Sequence, residues 1–242
     1  MGSSRLPGKT LEIVDNKNTM IGFLVSRLKK SKYFSRIIIA TSDLDNDNVL
    51  SEWANENNLN VFRGSSHNVL DRIHKCIIEF SVSDFVFILG DNPLIDHHIL
   101  DHCIDIFKNN KKLDFLTTHS MEYSKNHISK NFFPVGIRVQ IMNKKTIESV
   151  VKKVKDDFNQ EHSTSYIIEN LDLFNTFFVT AINQFENYKL PYFNFAVNTF
   201  EQLLCIKKII SNFNREANFN LEDVIKFVNN NQSQFIDLKL KQ

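Results

Sequence analysis

The stretch that most constrains the fold is FVFILGDNPLID, at residues 85–96. Five consecutive apolar residues, 85–89, are typical of a strand buried on both faces, as in a parallel sheet covered by helices. Gly90 is expected to let the backbone turn sharply. Asp91 then follows the carboxyl end of the strand, where open α/β sheets bind their ligands. A carboxylate at that place suits a magnesium nucleotide.

A second interpretation of the same motif is purely structural. Residues 90–93, Gly-Asp-Asn-Pro, also make a turn in which the polar side chains satisfy local backbone groups. The motif alone does not separate a ligand site from a turn, so the rest of the chain decides.

Composition limits the class of protein. With 242 residues, 42% hydrophobic and 24% charged, the chain is predicted to form a single domain, 1–242, with a small helical extension from about residue 212. A net charge of +1 gives no electrostatic reason to expect nucleic acid or an anionic membrane as partner. No run of about 18 apolar residues occurs and the N-terminus lacks a signal-peptide core, so we expect a cytoplasmic protein. Cys76, Cys103 and Cys205 are predicted to be buried free thiols.

The N-terminal loop, MGSSRLPGK at residues 1–9, combines small residues with two cations. Backbone N–H groups of Gly2, Ser3 and Ser4 can approach phosphate oxygens, while Arg5 and Lys9 place positive charge against a polyphosphate. A frayed, solvated terminus or part of an expression tag is the alternative.

Further segments share one order and spacing with a known family. They are GSSRLPGK (2–9), IATSD (39–43), VFRGS (61–65), NVLDR (68–72) and GDNPLID (90–96), followed more weakly by FPVG (133–136), EHST (161–164) and VNT (197–199). Taken together in this order, these motifs are specific to one family. The chain resembles the cytidylyltransferases grouped with acylneuraminate cytidylyltransferase and the spore-coat polysaccharide biosynthesis protein of SpsF type.

This resemblance implies an α/β, Rossmann-like nucleotidyltransferase (GT-A-like) fold with a mainly parallel sheet. It implies transfer of CMP from CTP to a sugar or sugar acid with Mg²⁺ as cofactor and release of pyrophosphate, in surface polysaccharide biosynthesis. The partners are then CTP and the acceptor, with no nucleic acid or membrane, and we expect a homodimer.

The resemblance also assigns roles to residues. Asp91 and Asn198 would hold the metal, Arg5, Lys9 and Asp91 would be catalytic, and Glu161 and His162 would face the acceptor. The nucleotide-binding set comprises Gly2, Ser3, Ser4, Arg5, Lys9, Thr41, Ser42, Arg63, Gly64, Asp71 and Arg72. As isolated residues, Thr41 and Ser42 also suit a turn and helix cap, Asp71 and Arg72 a surface ion pair, and His162 a neighbour of a cap at Ser163 or Thr164.

Several positions depart from the family pattern. Asn198 and Gln202 stand where similar enzymes carry Asp, and Gln160 stands where the family has Arg. Asn keeps a carbonyl oxygen but loses the charge that hard Mg²⁺ prefers. These changes favour, as the alternative function, a divergent non-catalytic nucleotide-binding or scaffold protein of the same fold.

The family loop follows a hydrophobic first strand, whereas this sequence begins inside the loop. That strand lies in the middle of the sheet in such folds. We therefore expect an upstream start that encodes an apolar strand, or a truncation that weakens the fold.

The remaining patterns predict the other elements. Helices are predicted at residues 18–32, 47–57, 97–107 with Asp96 as N-cap, 144–154, 161–170, 200–210 and 221–228. Strands are predicted at 35–40, 60–62, 113–118, 135–142 and 193–197.

Overall fold

The computed structural model describes residues 5–33, 35–123, 129–213 and 218–240. The helices in these ranges are α1 (Met20–Leu28), α2 (Asn48–Glu56), α3 (Val69–Glu79), α4 (His97–Asn109), α5 (Lys144–Lys153), α6 (Asp157–Glu161), α7 (Ser165–Glu169), α8 (Phe200–Asn212) and α9 (Leu221–Asn230). The strands are β1 (Ile38–Ser42), β2 (Asn60–Gly64), β3 (Asp84–Phe87), β4 (Phe115–Thr118), β5 (Gln140–Asn143) and β6 (Thr176–Val179).

The strands form two sheets of different kinds. β1 pairs in parallel with β2, while the second sheet has the order β3-β5-β4-β6. β5 runs antiparallel to β3 and to β4, and β4 runs parallel to β6. The α/β class is confirmed; the β1–β2 sheet is parallel, whereas the larger sheet is mixed rather than mainly parallel. Two parallel neighbouring strands need a crossover connection, which is usually a helix. The described part of the β4–β5 connection contains no α-helix, in keeping with the antiparallel pairing of these two strands.

β3 is half-buried along its apolar residues, so the prediction of a strand buried on both faces is wrong. Its described sheet partner is β5 alone, and β1 is paired with β2 alone. One side of β3 therefore faces a cavity instead of a neighbouring strand.

Two hydrophobic clusters form the core. The larger one joins α1, α4, α8 and α9, and the smaller one packs α3 and α5 against β3 and β4. The C-terminal segment predicted as an extension contributes fully buried side chains to the larger cluster, including Leu221, Val228 and Phe235. It packs into the domain core.

Most predicted helices and strands are confirmed at similar positions, including Asp96 as the N-cap of α4, whose side chain accepts from the His98 N–H. Residues 193–197 are an exception, because they form only isolated bridges, from Phe193 to Lys239 and from Asn194 to Val135. The predicted helix at 161–170 is two short helices, α6 and α7, with residues 162–164 between them.

Cys76, Cys103 and Cys205 are buried and free, as predicted. Burial raises the pKa of the Cys76 thiol to about 11 and that of Cys103 further still, so both thiols stay protonated near neutral pH. In the described ranges no helix has the length and apolar character needed to span a bilayer.

Candidate functional site

Three segments that are distant in sequence meet beyond the carboxyl end of β3. The Lys9 Nζ donates to Asp91 Oδ2 at 2.9 Å and to the Val197 carbonyl oxygen at 2.6 Å. The Val197 N–H in turn donates to the Asp91 carbonyl oxygen at 2.9 Å. The structure thus brings the N-terminal loop, the Gly90-Asp91 turn and the segment before α8 to one place.

A second contact continues the same group. The Arg5 guanidinium donates through Nη2 to Asn198 Oδ1 at 3.2 Å. Asn198 precedes Thr199, the N-cap of α8. Arg5, Lys9, Asp91 and Asn198, which we call the 5–9–91–198 cluster, therefore lie together, while Gly2, Ser3 and Ser4 are outside the described residues.

Gln202 has a structural role in this arrangement. Its Oε1 accepts from the backbone N–H groups of Asn198 and Thr199, and its own N–H donates to the Thr199 hydroxyl. This capping box fixes the start of α8 and with it the position of Asn198. The Gln202 side chain therefore serves as part of the helix cap. Because it is an amide, it offers no carboxylate to a metal.

The cluster fits a hard divalent cation. Asp91 Oδ1 is buried and has no hydrogen-bond partner among the described residues, so one carboxylate oxygen is available as a ligand. Asn198 Oδ1 supplies a neutral oxygen nearby in the cluster. Carboxylate and amide oxygens are ligands that Mg²⁺ accepts, although a single carboxylate gives less charge than a pair.

Gly136 determines how the 194–198 segment approaches the sheet. A Cβ at this position would lie 2.3 Å from the Ala196 backbone nitrogen, and φ is +88°. Val135 exchanges backbone hydrogen bonds with Phe193 and Phe195. Only glycine permits this contact, which carries the chain towards Asn198.

Gly90 does not use such freedom. It has no positive φ, and an added Cβ would meet only Ile21 Cδ1, at 3.7 Å. The expectation that glycine is needed there for a sharp turn is wrong, because the Asp91 turn is held by its contacts with Lys9 and Val197.

Asp47, which the sequence interpretation missed, organises the carboxyl end of β1. Its Oδ2 accepts from the hydroxyl groups of Thr41 and Ser42 and from the Ser42 N–H. Burial alone would raise the pKa of Asp47, but hydrogen bonds, among them those from Thr41 and Ser42, outweigh burial and hold the pKa below its usual range. The detectable signal was an acidic residue at the start of α2, just after the strand.

Arg63 is engaged with the protein. Its guanidinium donates to the carbonyl oxygens of Ser42 and Leu44 and to the side chains of Asn48 and Ser51. These hydrogen bonds hold the β1–α2 connection against β2, the strand that carries Arg63. Gly64 ends β2 beside Ser42, its register partner.

The α3 residues of the proposed nucleotide set separate into two environments. Asp71 pairs with Lys75 at 2.8 Å on the helix surface. Burial lowers the pKa of Arg72, opposed by Asp47 and Asp43, and its Nε has no hydrogen-bond partner among the described residues. Arg72 thus keeps one N–H free for a ligand, whereas Asp71 is neutralised locally.

Glu161 and His162 are exposed at the end of α6, and the His162 ring packs 4.5 Å from that of Phe158. Thr164 receives a hydrogen bond from Gln140 Nε2 at 3.0 Å. Because Gln140 pairs with both Phe87 of β3 and Thr117 of β4, residues 161–164 are tied to the middle of the larger sheet. No described contact joins Glu161 or His162 directly to the 5–9–91–198 cluster.

The chain matches a known protein family over nearly its whole length. A family model described as Cytidylyltransferase matches residues 1–238. The spore coat polysaccharide biosynthesis protein SpsF of Bacillus subtilis is 28% identical over 236 residues, which cover 96% of this chain and 91% of that protein. A 3-deoxy-manno-octulosonate cytidylyltransferase of Fusobacterium nucleatum is 32% identical over 117 residues, 48% of this chain and 46% of that protein.

A solved structure is similar over the whole chain. A cytidylyltransferase from Leptospira borgpetersenii superposes with a TM-score of 0.87 at 27% identity, covering 100% of this chain and 95% of the other. The Rossmann-like nucleotidyltransferase fold is thereby confirmed.

Proposed function

The chain belongs to the cytidylyltransferase family, and from that premise we propose that it transfers CMP from CTP to an oxygen of a sugar or sugar acid and releases pyrophosphate. The observation that carries this proposal is the 5–9–91–198 cluster, in which Lys9 pairs with Asp91, Arg5 binds Asn198, and Asp91 keeps an unpartnered oxygen. Such a set can receive a polyphosphate together with a divalent cation.

The acceptor class is supported by relatives. One is named for spore coat polysaccharide biosynthesis and another for 3-deoxy-manno-octulosonate, a sugar acid. A sugar or sugar-acid hydroxyl is therefore the acceptor we propose, in surface polysaccharide biosynthesis. Glu161 and His162 are proposed to face it.

The bond changes define what the residues do. The acceptor oxygen forms a bond to the α-phosphorus of CTP, the bond from that phosphorus to the bridging oxygen breaks, and pyrophosphate leaves with the bond's electron pair. The acceptor hydroxyl proton passes to solvent. Arg5 and Lys9 lie where they can neutralise the charge that grows on pyrophosphate, which is how such reactions are chiefly accelerated.

Mg²⁺ held by Asp91 and Asn198 would supply Lewis-acid stabilisation of the α-phosphate oxygens. Asp91 contributes its free Oδ1, and Asn198 contributes Oδ1 once Arg5 turns to the phosphates. Lys9 must likewise leave Asp91 to meet the phosphates.

Base selection is proposed to lie at the end of β1. Thr41 and Ser42 give their hydroxyl protons to Asp47, so their oxygens can only accept. Cytosine presents an exocyclic amino donor where uracil presents an acceptor. A ligand edge that meets these oxygens must donate, which favours CTP over UTP.

The test is pyrophosphate release from Mg-CTP by the purified protein with a panel of sugars, sugar phosphates and sugar acids. Release that depends on one acceptor and is abolished by Asp91→Asn supports the proposal. Asp172→Asn, which makes the same change at an exposed position, is the matched control.

The alternative is a non-catalytic nucleotide-binding protein, which Asn198 in place of Asp favours. It predicts CTP binding by calorimetry without pyrophosphate release from any acceptor in the panel. Equal affinity for CTP, ATP and GTP would contradict a cytidylyl role altogether.

A further inference from the structure

One face of α4 carries two histidines and two aspartates in a single stripe. They are His98, Asp101, His102 and Asp105, at positions i, i+3, i+4 and i+7 of the helix. Residues at this spacing are neighbours on a helix surface. All four line one pocket of about 620 Å³, which Gln184 lines as well. The stripe shares no residue with the 5–9–91–198 cluster, so the proposed reaction gives it no role.

The two aspartates of the stripe bind the segment that follows α1. Asp101 accepts from the Ser31 hydroxyl group and, at 3.2 Å, from the Lys32 N–H. Asp105 accepts from the Tyr33 hydroxyl group and lies 2.8 Å from the Lys32 ammonium. Both carboxylates therefore serve a structural purpose, and the two imidazoles are the ligand groups that the stripe offers to the pocket.

The His102 ring is held in one orientation. Its Nδ1 lies 3.0 Å from the side-chain amide of Gln184, and its centre lies 5.1 Å from that of the Phe185 ring. The amide can face Nδ1 with either its nitrogen or its oxygen, and in the second case it accepts the ring N–H. Nε2 then carries the lone pair. Metal-binding histidines are usually oriented in this way, by an acceptor on the other ring nitrogen.

The protonation state of His102 also suits a metal. Burial lowers its pKa below the ordinary value of 6.5, opposed by Asp105. The ring is therefore neutral near neutral pH, which is the form that binds a metal. His98 is exposed one turn away. Two histidines four residues apart are the spacing with which a single helix binds Zn²⁺.

A second group of ligand atoms lies at the start of α4. One oxygen of Asp96 and one nitrogen each of His97 and His98 lie within 4.8 Å of one another. Both Asp96 oxygens already accept backbone N–H groups, from His98 and Leu221, and the Arg27 guanidinium lies 4.0 Å away. The positive end of the helix dipole also disfavours a cation there. A metal is therefore better held one turn further along the helix.

We propose that His98 and His102 bind Zn²⁺, with water completing its coordination. Imidazole nitrogen is a ligand that suits Zn²⁺, whereas Mg²⁺ prefers oxygen. Asp101 and Asp105 place negative charge beside the ion. Through the contact of His102 with Gln184, the ion stabilises the packing of the 3-10 helix Asn183–Tyr188 against α4. This inference does not rest on the proposed function.

The test is calorimetric titration of the full chain, without a histidine affinity tag, with Zn²⁺. His98→Ala and His102→Ala should each weaken binding by about tenfold or more, since each removes one of two protein ligands. Gln184→Leu should weaken binding by about tenfold, because the His102 ring loses its orienting partner. His74→Ala, which removes a histidine from α3, is the control and should leave the affinity unchanged.

A second variant, His102→Gln, keeps a polar side chain beside Phe185 in case His102→Ala unfolds. Zn²⁺ should also raise the Tm of the wild type, and should not raise that of the protein with both His98→Ala and His102→Gln. Absence of Zn²⁺ binding by the wild type would overturn the proposal, as would unchanged affinity in either of these single variants. So would a loss with His97→Ala but not with His102→Gln, because the ion would then lie at the start of α4.

Discussion

The Lys9 ammonium lies 2.9 Å from Asp91 Oδ2, and the two side chains are only 11% and 23% exposed. A divalent cation on Asp91 would compete with that ammonium for one carboxylate. The phosphates of a nucleotide offer Lys9 a stronger partner. We therefore expect metal to bind Asp91 well only when nucleotide is present.

Replacing Lys9 with Met tests this competition. A charge-assisted hydrogen bond contributes about 1.5–3 kcal/mol, so its removal should tighten binding of free Mn²⁺ by about tenfold or more. Pyrophosphate release should fall, because the leaving group loses a cation. Mn²⁺ binding is measured by calorimetry without nucleotide.

Lys29→Met, at the exposed end of α1, is the matched control and should leave Mn²⁺ affinity as in the wild type. If Lys9→Met also binds Mn²⁺ no more tightly than the wild type, Lys9 does not compete with metal at Asp91.

Asn198→Asp should strengthen metal binding. The new carboxylate would stand beside Arg5, where Asn198 Oδ1 now accepts a hydrogen bond, and would add the charge that Mg²⁺ prefers. We expect tighter Mg-CTP binding and faster pyrophosphate release with a suitable acceptor. Asp91→Asn should abolish release in both backgrounds.

Asn57→Asp introduces the same charge at the end of α2 and serves as the control. An Asn198→Asp variant whose Mg-CTP affinity by calorimetry equals that of the wild type would remove Asn198 from the metal site.

Asp47→Asn should weaken discrimination between CTP and UTP. An amide at this position can donate to Thr41 and Ser42 as well as accept from them, so their hydroxyl groups are no longer fixed as acceptors towards a ligand. We expect the ratio of CTP to UTP affinity to fall by about tenfold, the change that 1.4 kcal/mol produces.

Asp45→Asn, two residues earlier and exposed, is the matched control for Asp47. An unchanged CTP to UTP ratio in a folded Asp47→Asn protein would exclude Thr41 and Ser42 from base selection.

Local sequence patterns predicted most helices and strands, because these elements depend mainly on residues that are close in sequence. Asp96 caps α4 through the His98 N–H two residues away. Asp91 and Lys9, by contrast, lie 82 positions apart. Their proximity was anticipated through the family resemblance, which assigns both residues to one site; only the place of Asp91, after the end of a strand, follows from the local pattern.

What the sequence could not indicate depends on long-range packing. The apolar run at 85–89 was interpreted as doubly buried, but β3 is only half-buried, because one of its edges has no described strand partner and its residues line a cavity. Residues 193–197 are apolar enough for a strand, yet their backbone partners, Val135 and Lys239, are too scattered to form a ladder. Arg27 is another case, since this cation lies on α1 and is buried by partners that are distant in sequence.

Arg27 should be essential for stability. It is 1% exposed, donates to the carbonyl oxygens of Ile95 and Phe219, and lies 4.0 Å from buried Asp96. Burial lowers its pKa to about 10, opposed by Asp96. Arg27→Met leaves that carboxylate uncompensated, and we expect a loss of about 3–5 kcal/mol in the free energy of unfolding.

Urea unfolding measures the Arg27 effect, with Arg36→Met as the control. Arg36 donates to the Phe80 carbonyl oxygen from an exposed position, so its loss should cost about 1 kcal/mol or less. Similar losses for the two variants would mean that the buried Arg27 contacts do not hold the C-terminal segment.

His119 should make the protein less stable in mild acid. Its ring packs between those of Phe132, at 4.2 Å, and Phe178, at 4.8 Å, and burial lowers its pKa below the ordinary value of 6.5. Below pH 6.5 the unfolded chain takes up a proton that folded His119 resists, so the free energy of unfolding falls as pH decreases. Urea unfolding at pH 7.5 and pH 5.5 should show this loss.

His119→Phe, which keeps an aromatic ring, and His119→Gln, which keeps polarity, should both reduce the difference in the free energy of unfolding between the two pH values. The remaining difference should come partly from His97 and His102, whose pKa values burial also lowers. An equal difference in the wild type and both variants would show that His119 is not the group that titrates.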